Sequence, residues 1–247
     1  MENKHLFAVY VDIPLAAAIQ ELVRLQSEAL WTRIVKVLRL RAQEHVVLFN
    51  KEQHVELKLT EATFAAKNTV QGVVVAVNNF VKLRPTITLL QGIPKKSVFE
   101  EIIYNAAQLG VETIVPIKTA KSIVGEFSPK ERERFESIMI AACEQAKQFV
   151  VPRIANQMNL QAALVNINPG AMKIVFDSAG QSCIDVVPAS VASEDVVVLF
   201  GSEAGLTDQE LSQAVACGFA KVRLTPTILR SEDAPLLGIG MLRSFIA

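Results

Sequence analysis

Two segments in the last quarter of the chain carry the residue types that could hold a nucleotide-like ligand and act on it. The first is Phe200-Gly-Ser-Glu-Ala-Gly205. Its glycines permit positive φ and close backbone approach to a flat ligand, and Glu203 supplies its only charge. The second is Leu224-Thr-Pro-Thr-Ile-Leu-Arg-Ser-Glu-Asp233, a polar loop that exposes Ile228 and Leu229 ahead of a helix opened by Ser231. Arg230 stands just before that helix start. An anion or a nucleobase carbonyl there gains from the guanidinium and from free backbone N–H groups. On residue types alone each segment keeps a plainer reading. The first is then a strand-to-helix turn that needs glycine for geometry, and in the second Arg230 pairs with Glu232 or Asp233.

Other chemistries are removed by what is missing. The histidines His5, His45 and His54 all lie in the first quarter of the chain. The remainder by itself can therefore build no Ser-His-Asp triad, Cys–His pair or histidine zinc site. Cys143, Cys183 and Cys217 match no metal-ligand spacing, and each is expected as a buried structural thiol. There is no G-x-G-x-x-G after the first strand of the α/β part and no G-K-[ST] phosphate loop. No metal is expected.

Lysine plus arginine and aspartate plus glutamate both number 25, so the net charge is zero. A nucleic-acid partner must then be met through a local patch, a dimer or a large preformed target. One patch is available: Arg33, Lys36, Arg39 and Arg41 interleave with apolar residues. On a helix, positions 33, 36 and 39 share one side. That side is either a solvated face or a contact for RNA phosphates. No apolar run approaches the roughly 20 residues of a membrane helix, and Met1-Glu-Asn-Lys-His5 does not begin a signal peptide, so a cytoplasmic protein is expected.

The elements that must position these residues fall into two textures. Residues 1–75 carry short strand-like runs at Leu6–Val11, Val46–Phe49, Val55–Leu59 and Val70–Val77 around one helix-like segment, the pattern of a small β domain. Asn78 to Pro85 reads as a connection. Residues 76–247 then alternate strands and helices. Strands are expected at Thr86–Leu90, Thr113–Ile117, Met172–Phe176, Asp195–Phe200 and Lys221–Leu224. Capping boxes at Ser97/Glu100, Ser128/Glu131 and Thr207/Glu210 open helices, and Gly110 and Gly218 close two of them. The second helix is expected to reach about Phe149, a short one covers Leu160–Val165, and the last runs from about Glu232 to Phe245. Such alternation implies an α/β fold with a parallel sheet covered on both faces. Ligands of such sheets bind beyond the carboxyl ends of the strands, where both segments lie.

Taken together, these residues resemble the bacterial 16S ribosomal RNA uracil-N3 methyltransferases of the SPOUT class. Residues Phe200 to Thr207 look like that family's G-P-E-G-G-[FL]-[ST] loop, and Leu224 to Ala234 look like its L-G-x-R-I-L-R-[ST]-E-T-A loop. Ala107 to Val111 with Ile114 to Ile117, Ala142 to Gln145 with Val151 and Pro152, and Val35 to Leu40 match three further blocks in the same order.

The resemblance implies a PUA-like RNA-binding β-barrel ahead of an α/β domain with a carboxy-terminal trefoil knot, in a homodimer. It also implies S-adenosylmethionine as cofactor and, as substrate, a uridine in the decoding region of the small ribosomal subunit. Leu199, Phe200, Gly201, Ser202, Glu203, Gly205, Leu224, Thr225, Ile228, Leu229 and Ser231 are the expected cofactor contacts. Arg230, Glu232 and Glu203 are the expected catalytic groups, and Arg33, Lys36 and Arg39 the RNA contacts. The chain departs from the family pattern at Ser202 and Ala204, at Thr225 and Thr227, at Gln148, and at Thr32 and Arg33. Those departures keep an alternative open, a catalytically weakened RNA-binding or ribosome-assembly factor on the same scaffold.

Overall fold

The computed structural model describes residues 6–15, 18–79, 82–122, 125–187 and 195–244. It divides into two compact units: residues 1–81 with 143–150, and residues 82–142 with 151–247.

The first unit contains β1 (Phe7–Tyr10), β2 (Leu22–Gln26), α1 (Glu28–Trp31), a π-helical turn (Thr32–Val37), β3 (His45–Phe49), β4 (Gln53–Leu59), α2 (Ala62–Ala65) and β5 (Thr69–Asn79). The strands form one sheet in the order β1-β3-β4-β5-β2. Only β1 and β3 run parallel. Alternation along β4 directs Val55, Leu57 and Leu59 into a core shared with Val46, Leu48, Val70, Val74, Trp31 and Ile34. The Trp31 indole N–H meets the Thr63 carbonyl at 2.8 Å, which satisfies the one polar group this large ring buries. Residue 75, the expected end of the domain, lies inside β5.

The π-helical turn changes the reading of the basic segment. Its hydrogen bonds span five residues, as in Leu38 N–H to Arg33 C=O at 2.9 Å, so successive side chains turn more slowly than on an α-helix. Arg39 lies beyond the turn in the left-handed region, at φ 55°. Arg33, Lys36 and Arg39 are all exposed, but they do not line one helical face. Arg33 pairs with Glu144 at 2.8 Å, and the Lys36 ammonium lies 5.5 Å from the centre of the Trp31 ring.

The second unit is an α/β layer structure. It comprises β6 (Ile87–Gly92), α3 (Lys96–Gln108), β7 (Thr113–Lys118), α4 (Pro129–Ala146, whose last residues belong with the first unit), β8 (Arg153–Ile154), β9 (Met158–Asn159) and α5 (Leu160–Val165). It continues with β10 (Met172–Ser182), α6 (Cys183–Val186), β11 (Val196–Phe200), α7 (Asp208–Ala216), β12 (Ala220–Arg223) and α8 (Asp233–Ser244). The sheet order is β12-β10-β11-β6-β7-β8, with β9 also on β7, and every pairing is parallel. All five residues of β11 are buried, as befits a strand covered on both faces.

Most expected helix ends hold. Ser128 and Thr207 cap α4 and α7 with Glu131 and Glu210 reaching back, and Gly110 and Gly218 follow α3 and α7 at φ 67° and 89°. Two features differ. Ser97 does not cap α3: the N-cap is Lys95, whose N–H goes to the Glu203 carboxylate, while Glu100 takes the Arg134 guanidinium. The helix α4 stops at Ala146, because Lys147 turns left-handed at φ 55°. The expected end of the last helix at Phe245 lies outside the described residues.

Of the cysteines, Cys143 and Cys183 are buried, and burial pushes the Cys143 thiol up to about 12, which leaves it inert as a nucleophile. Cys217 is exposed, contrary to expectation, because it follows α7 at the surface turn into Gly218.

After β12 the chain turns back from that edge of the sheet, and α8 packs against α3, which joins β6 to β7. Arg243 on α8 secures this return by donating to the carbonyls of Pro85, Leu109 and Gly110 at 2.7–3.0 Å.

Candidate cofactor and active site

Three neighbouring parallel strands, β12, β10 and β11, end at one side of the second unit. The loops that leave β11 and β12 face each other there across an open cleft of about 290 Å³, at the lower end of the range for small-molecule sites. The glycine loop Gly201–Leu206 forms one wall and residues 223–231 the other, with Asp177 and Ser178 from the long strand β10 at the side.

The floor is aromatic. The Phe176 and Phe200 rings stack with centroids 4.6 Å apart, and Gly238 of α8 lies directly against them. A Cβ at 238 would come within 2.8 Å of the Phe200 ring, so glycine is what lets the last helix close beneath the cleft.

Geometry explains the residue types of the glycine loop. Gly205 sits at φ 67°, and a Cβ on Gly201 would stand 2.8 Å from the Gly205 backbone. With Gly205 N–H bonded to Ser202 C=O at 2.8 Å, the turn leaves no room for a side chain at Gly201, whereas at Gly205 the space is open and the positive φ is what favours glycine. Glu203 is exposed and lines the cleft, with one carboxylate oxygen accepting from Lys95 N–H at 2.9 Å. Ser202 is buried, and among the described residues its hydroxyl has no hydrogen-bond partner.

The opposite wall is organised by its own side chains. The Thr225 hydroxyl donates to Thr227 C=O at 2.7 Å, and Ser231 Oγ donates to Glu232 at 3.1 Å. Ile228 is 90% exposed. Arg230 is exposed and, among the described residues, has no carboxylate partner, so the pairing with Glu232 or Asp233 that its neighbours allowed is not made. The charged side chains around the cleft are Asp177, Glu203, Arg223 and Arg230. Asp177 is held by Lys221 at 3.0 Å and by Ala179 N–H.

The structure thus brings together Phe200, Gly201, Ser202, Glu203, Gly205, Leu224, Thr225, Ile228, Leu229, Arg230 and Ser231. Two residues named from the sequence stand elsewhere. Leu199 is fully buried among the sheet's core side chains, since alternation along β11 turns it away from the cleft. Glu232 does not line the cleft and bonds to Ser231. Sequence reasoning missed Phe176, Asp177 and Ser178, which come from a strand read as ending at residue 176, where β10 shifts register and runs on. Among the described residues, no group of three His, Cys, Asp or Glu side chains could hold a metal ion.

Residues 82–243, which include both walls of this cleft, match the family described as the RNA methyltransferase domain. The chain belongs to that family. Ribosomal RNA small subunit methyltransferase E of Bacillus subtilis is 28% identical over 221 residues, covering 83% of this chain and 84% of that protein. The protein of the same name from Buchnera aphidicola of Acyrthosiphon pisum is 26% identical over 221 residues, covering 85% and 83%. Among solved structures, Ribosomal RNA small subunit methyltransferase E from Neisseria gonorrhoeae, bound to S-adenosyl methionine, superposes with a TM-score of 0.81. It is 27% identical, and the match covers 97% of this chain and 98% of that one. A methyltransferase structure from Legionella pneumophila at 24% identity and a TM-score of 0.79, covering 97% and 98%, supports the fold. The α/β domain with its parallel sheet, preceded by a mainly antiparallel β unit, is therefore the architecture of this methyltransferase family.

Proposed function

We propose that the chain is an S-adenosylmethionine-dependent methyltransferase of small-subunit ribosomal RNA, acting in the cytoplasm on N3 of a uridine in the decoding region of 16S rRNA. The observation that carries the reading is the cleft itself: two loops inside the matched RNA methyltransferase domain face each other beyond the carboxyl ends of β10, β11 and β12.

The cleft suits the cofactor. It has room for a nucleoside-sized ligand, an aromatic floor and a glycine wall that admits a flat ring close to the main chain. Gly201, Ser202, Glu203 and Gly205 would hold it from one side and Leu224, Thr225, Ile228, Leu229 and Ser231 from the other. S-adenosylmethionine supplies a methyl carbon made electrophilic by its sulfonium. The protein's part is to align that carbon with the attacking nitrogen and to exclude competing geometries. Arg230, with its guanidinium unpaired at the rim, stabilises the negative charge that uracil develops as its N3 loses the proton. Glu203 has one carboxylate oxygen fixed by Lys95 N–H and lines the cleft, so of the two named carboxylates it is the better placed to orient the base or accept that proton.

The exposed Arg33, Lys36 and Arg39 supply phosphate contacts in the RNA-binding unit. The outer side of α8, where Leu229, Leu236, Leu237 and Met241 line an apolar groove of about 510 Å³, supports assembly as a homodimer.

Calorimetry with S-adenosylmethionine and its demethylated product tests the cofactor reading, and binding of neither overturns it. Mass spectrometry of 16S rRNA from cells with and without the gene tests the substrate. The expected result is loss of one methyl group from a single uridine. Subunit binding with unchanged methylation would instead identify the weakened scaffold.

A further inference from the structure

The glycine loop makes few bonds to itself, and its shape is set by residues outside positions 201–206. Gln91, fully buried at the end of β6, donates from Nε2 to Gly201 C=O at 3.0 Å. Lys95 N–H, two residues beyond Ile93, takes the Glu203 carboxylate. The largest share comes from the turn after β7. Lys121 Nζ donates to Ala204 C=O at 2.8 Å and, at 3.4 Å, to Leu206 C=O. Its neighbour Ala120 N–H donates at 2.7 Å to Glu210, whose other carboxylate oxygen accepts from the N–H and hydroxyl of Thr207. Glu210 is only 8% exposed, so this bridge between the turn and the start of α7 is shielded from solvent.

The turn that carries Lys121 is itself built. Thr119 N–H bonds to the Ser122 hydroxyl, Ser122 N–H bonds to Thr119 C=O, and Ile93 N–H bonds to Ile117 C=O at the neighbouring strand end. Lys121 is therefore presented from a hydrogen-bonded platform at the carboxyl end of β7 and not from a loose surface loop. A lysine ammonium that spans two carbonyls of a short loop fixes the peptide planes between them by charge-assisted hydrogen bonds. Those planes, at residues 204–206, belong to the wall of the cleft. Leu206 is packed into the core below, but Glu203 and Ala204 are exposed, so at Ala204 the clamp is not duplicated by packing.

We propose that Lys121 is a positioning residue for cofactor binding, acting through the carbonyls of Ala204 and Leu206, with Glu210 fixing the same turn to the loop's far end. The role rests on the assignment of this cleft to S-adenosylmethionine. Lys121 holds the loop at the height at which its main chain meets the ligand, and it touches neither the ligand nor the reacting atoms. Its loss raises the cost of ordering the loop at each binding event, which weakens affinity and leaves the chemical step intact once the site is filled.

The test compares Lys121→Met and Lys121→Arg with the wild type in the full chain. Met keeps most of the aliphatic stem and removes the charge and donors, whereas Arg restores both. Three quantities are measured: amide hydrogen exchange of residues 201–207 without cofactor, the Kd for S-adenosylmethionine, and kcat with KM at saturating small subunits. In Lys121→Met the exchange of the loop rises, Kd and KM for the cofactor rise about tenfold, or ~1.4 kcal/mol, and kcat stays within twofold. Lys121→Arg recovers most of the affinity. Faster exchange with unchanged Kd makes Lys121 a structural brace only and overturns the proposal. So does unchanged exchange with unchanged Kd, or an equal fall in kcat. Failure of the wild type itself to bind the cofactor, with the loop still loosened in Lys121→Met, overturns the assignment of the cleft and the positioning role with it.

Discussion

The loop at Gly201–Leu206 is held from outside, whereas the loop that faces it, at residues 224–232, leans on itself. In the first, the carbonyls of Gly201, Ala204 and Leu206 are taken by Gln91 and Lys121, and the Glu203 carboxylate by Lys95 N–H. In the second, the side-chain bonds run from Thr225 to Thr227 and from Ser231 to Glu232, and Arg230 and Ile228 are left exposed. A wall fixed from several strand ends suits a ligand that must be placed to a fraction of an ångström. A self-contained rim with an unpaired cation suits a second substrate that arrives from solution and must be met in more than one position. Under the proposed function, the braced loop would fix one side of the cofactor, while the free loop, which lines the other side, would also present Arg230 to the RNA base.

The sharpest way to break this division is Arg230→Ala. Single-turnover methylation of small subunits should fall by roughly 10²–10³, the range for losing one preorganised donor to a developing anion, with cofactor affinity within about twofold. An equal loss in cofactor binding would place Arg230 on the wrong side of the comparison.

Next in size is Arg243→Met. The helix that follows the free loop is anchored by Arg243 through three carbonyls. Equilibrium urea unfolding should show a loss of about 2–4 kcal/mol, the scale of breaking a part-buried charge-assisted network. A change below about 0.5 kcal/mol, the usual scatter of surface substitutions, would remove the anchor from the picture.

Gly201→Ala probes the braced side. The added Cβ stands 2.8 Å from the Gly205 backbone, so the loop must open. Calorimetry should show cofactor affinity reduced by roughly 30-fold, about 2 kcal/mol, with the fold retained by circular dichroism.

The smallest effect is expected at Ser202, whose buried hydroxyl has no partner among the described residues. Ser202→Ala removes an unsatisfied group, so stability should be unchanged or gain up to about 1 kcal/mol, and cofactor affinity should hold within about twofold. A large drop in affinity would show that the hydroxyl turns toward the ligand.

How much of this was legible in the sequence depends on whether the signal was local. The capping boxes at Ser128 and Thr207 and the glycines at 110 and 218 could be read because each satisfies backbone groups within one turn of its own position. The pattern at Ser97 and Glu100 was a false reading of the same kind. A distant residue, Arg134, takes the Glu100 carboxylate that the box would have used, and the helix already begins at Lys96, ahead of Ser97. The basic segment failed for another reason. Apolar spacing does not distinguish a π-helical turn from an α-helix, and a left-handed residue such as Arg39 leaves no mark in hydropathy. In the site, both motif loops were visible as motifs. Asp177 and Ser178 were not, because the strand that carries them runs past an irregularity at Phe176 that ended the apolar run.

The sequence by itself determined the strand and helix alternation of the second unit, hence a parallel sheet, and the two loops at its carboxyl edge. These follow from periodicity and from glycine, proline and cap residues acting over a few positions. Only the tertiary structure decided that the loops face each other across one cleft and that Leu199 and Glu232 stand outside it. It also decided that Arg230 is left without a carboxylate partner among the described residues, and that Gln91, Lys95, Lys121 and Glu210 shape the glycine loop. Those relations join residues up to about 110 positions apart. A hydrogen bond over such a separation is set by how strands and helices pack, which no local pattern encodes.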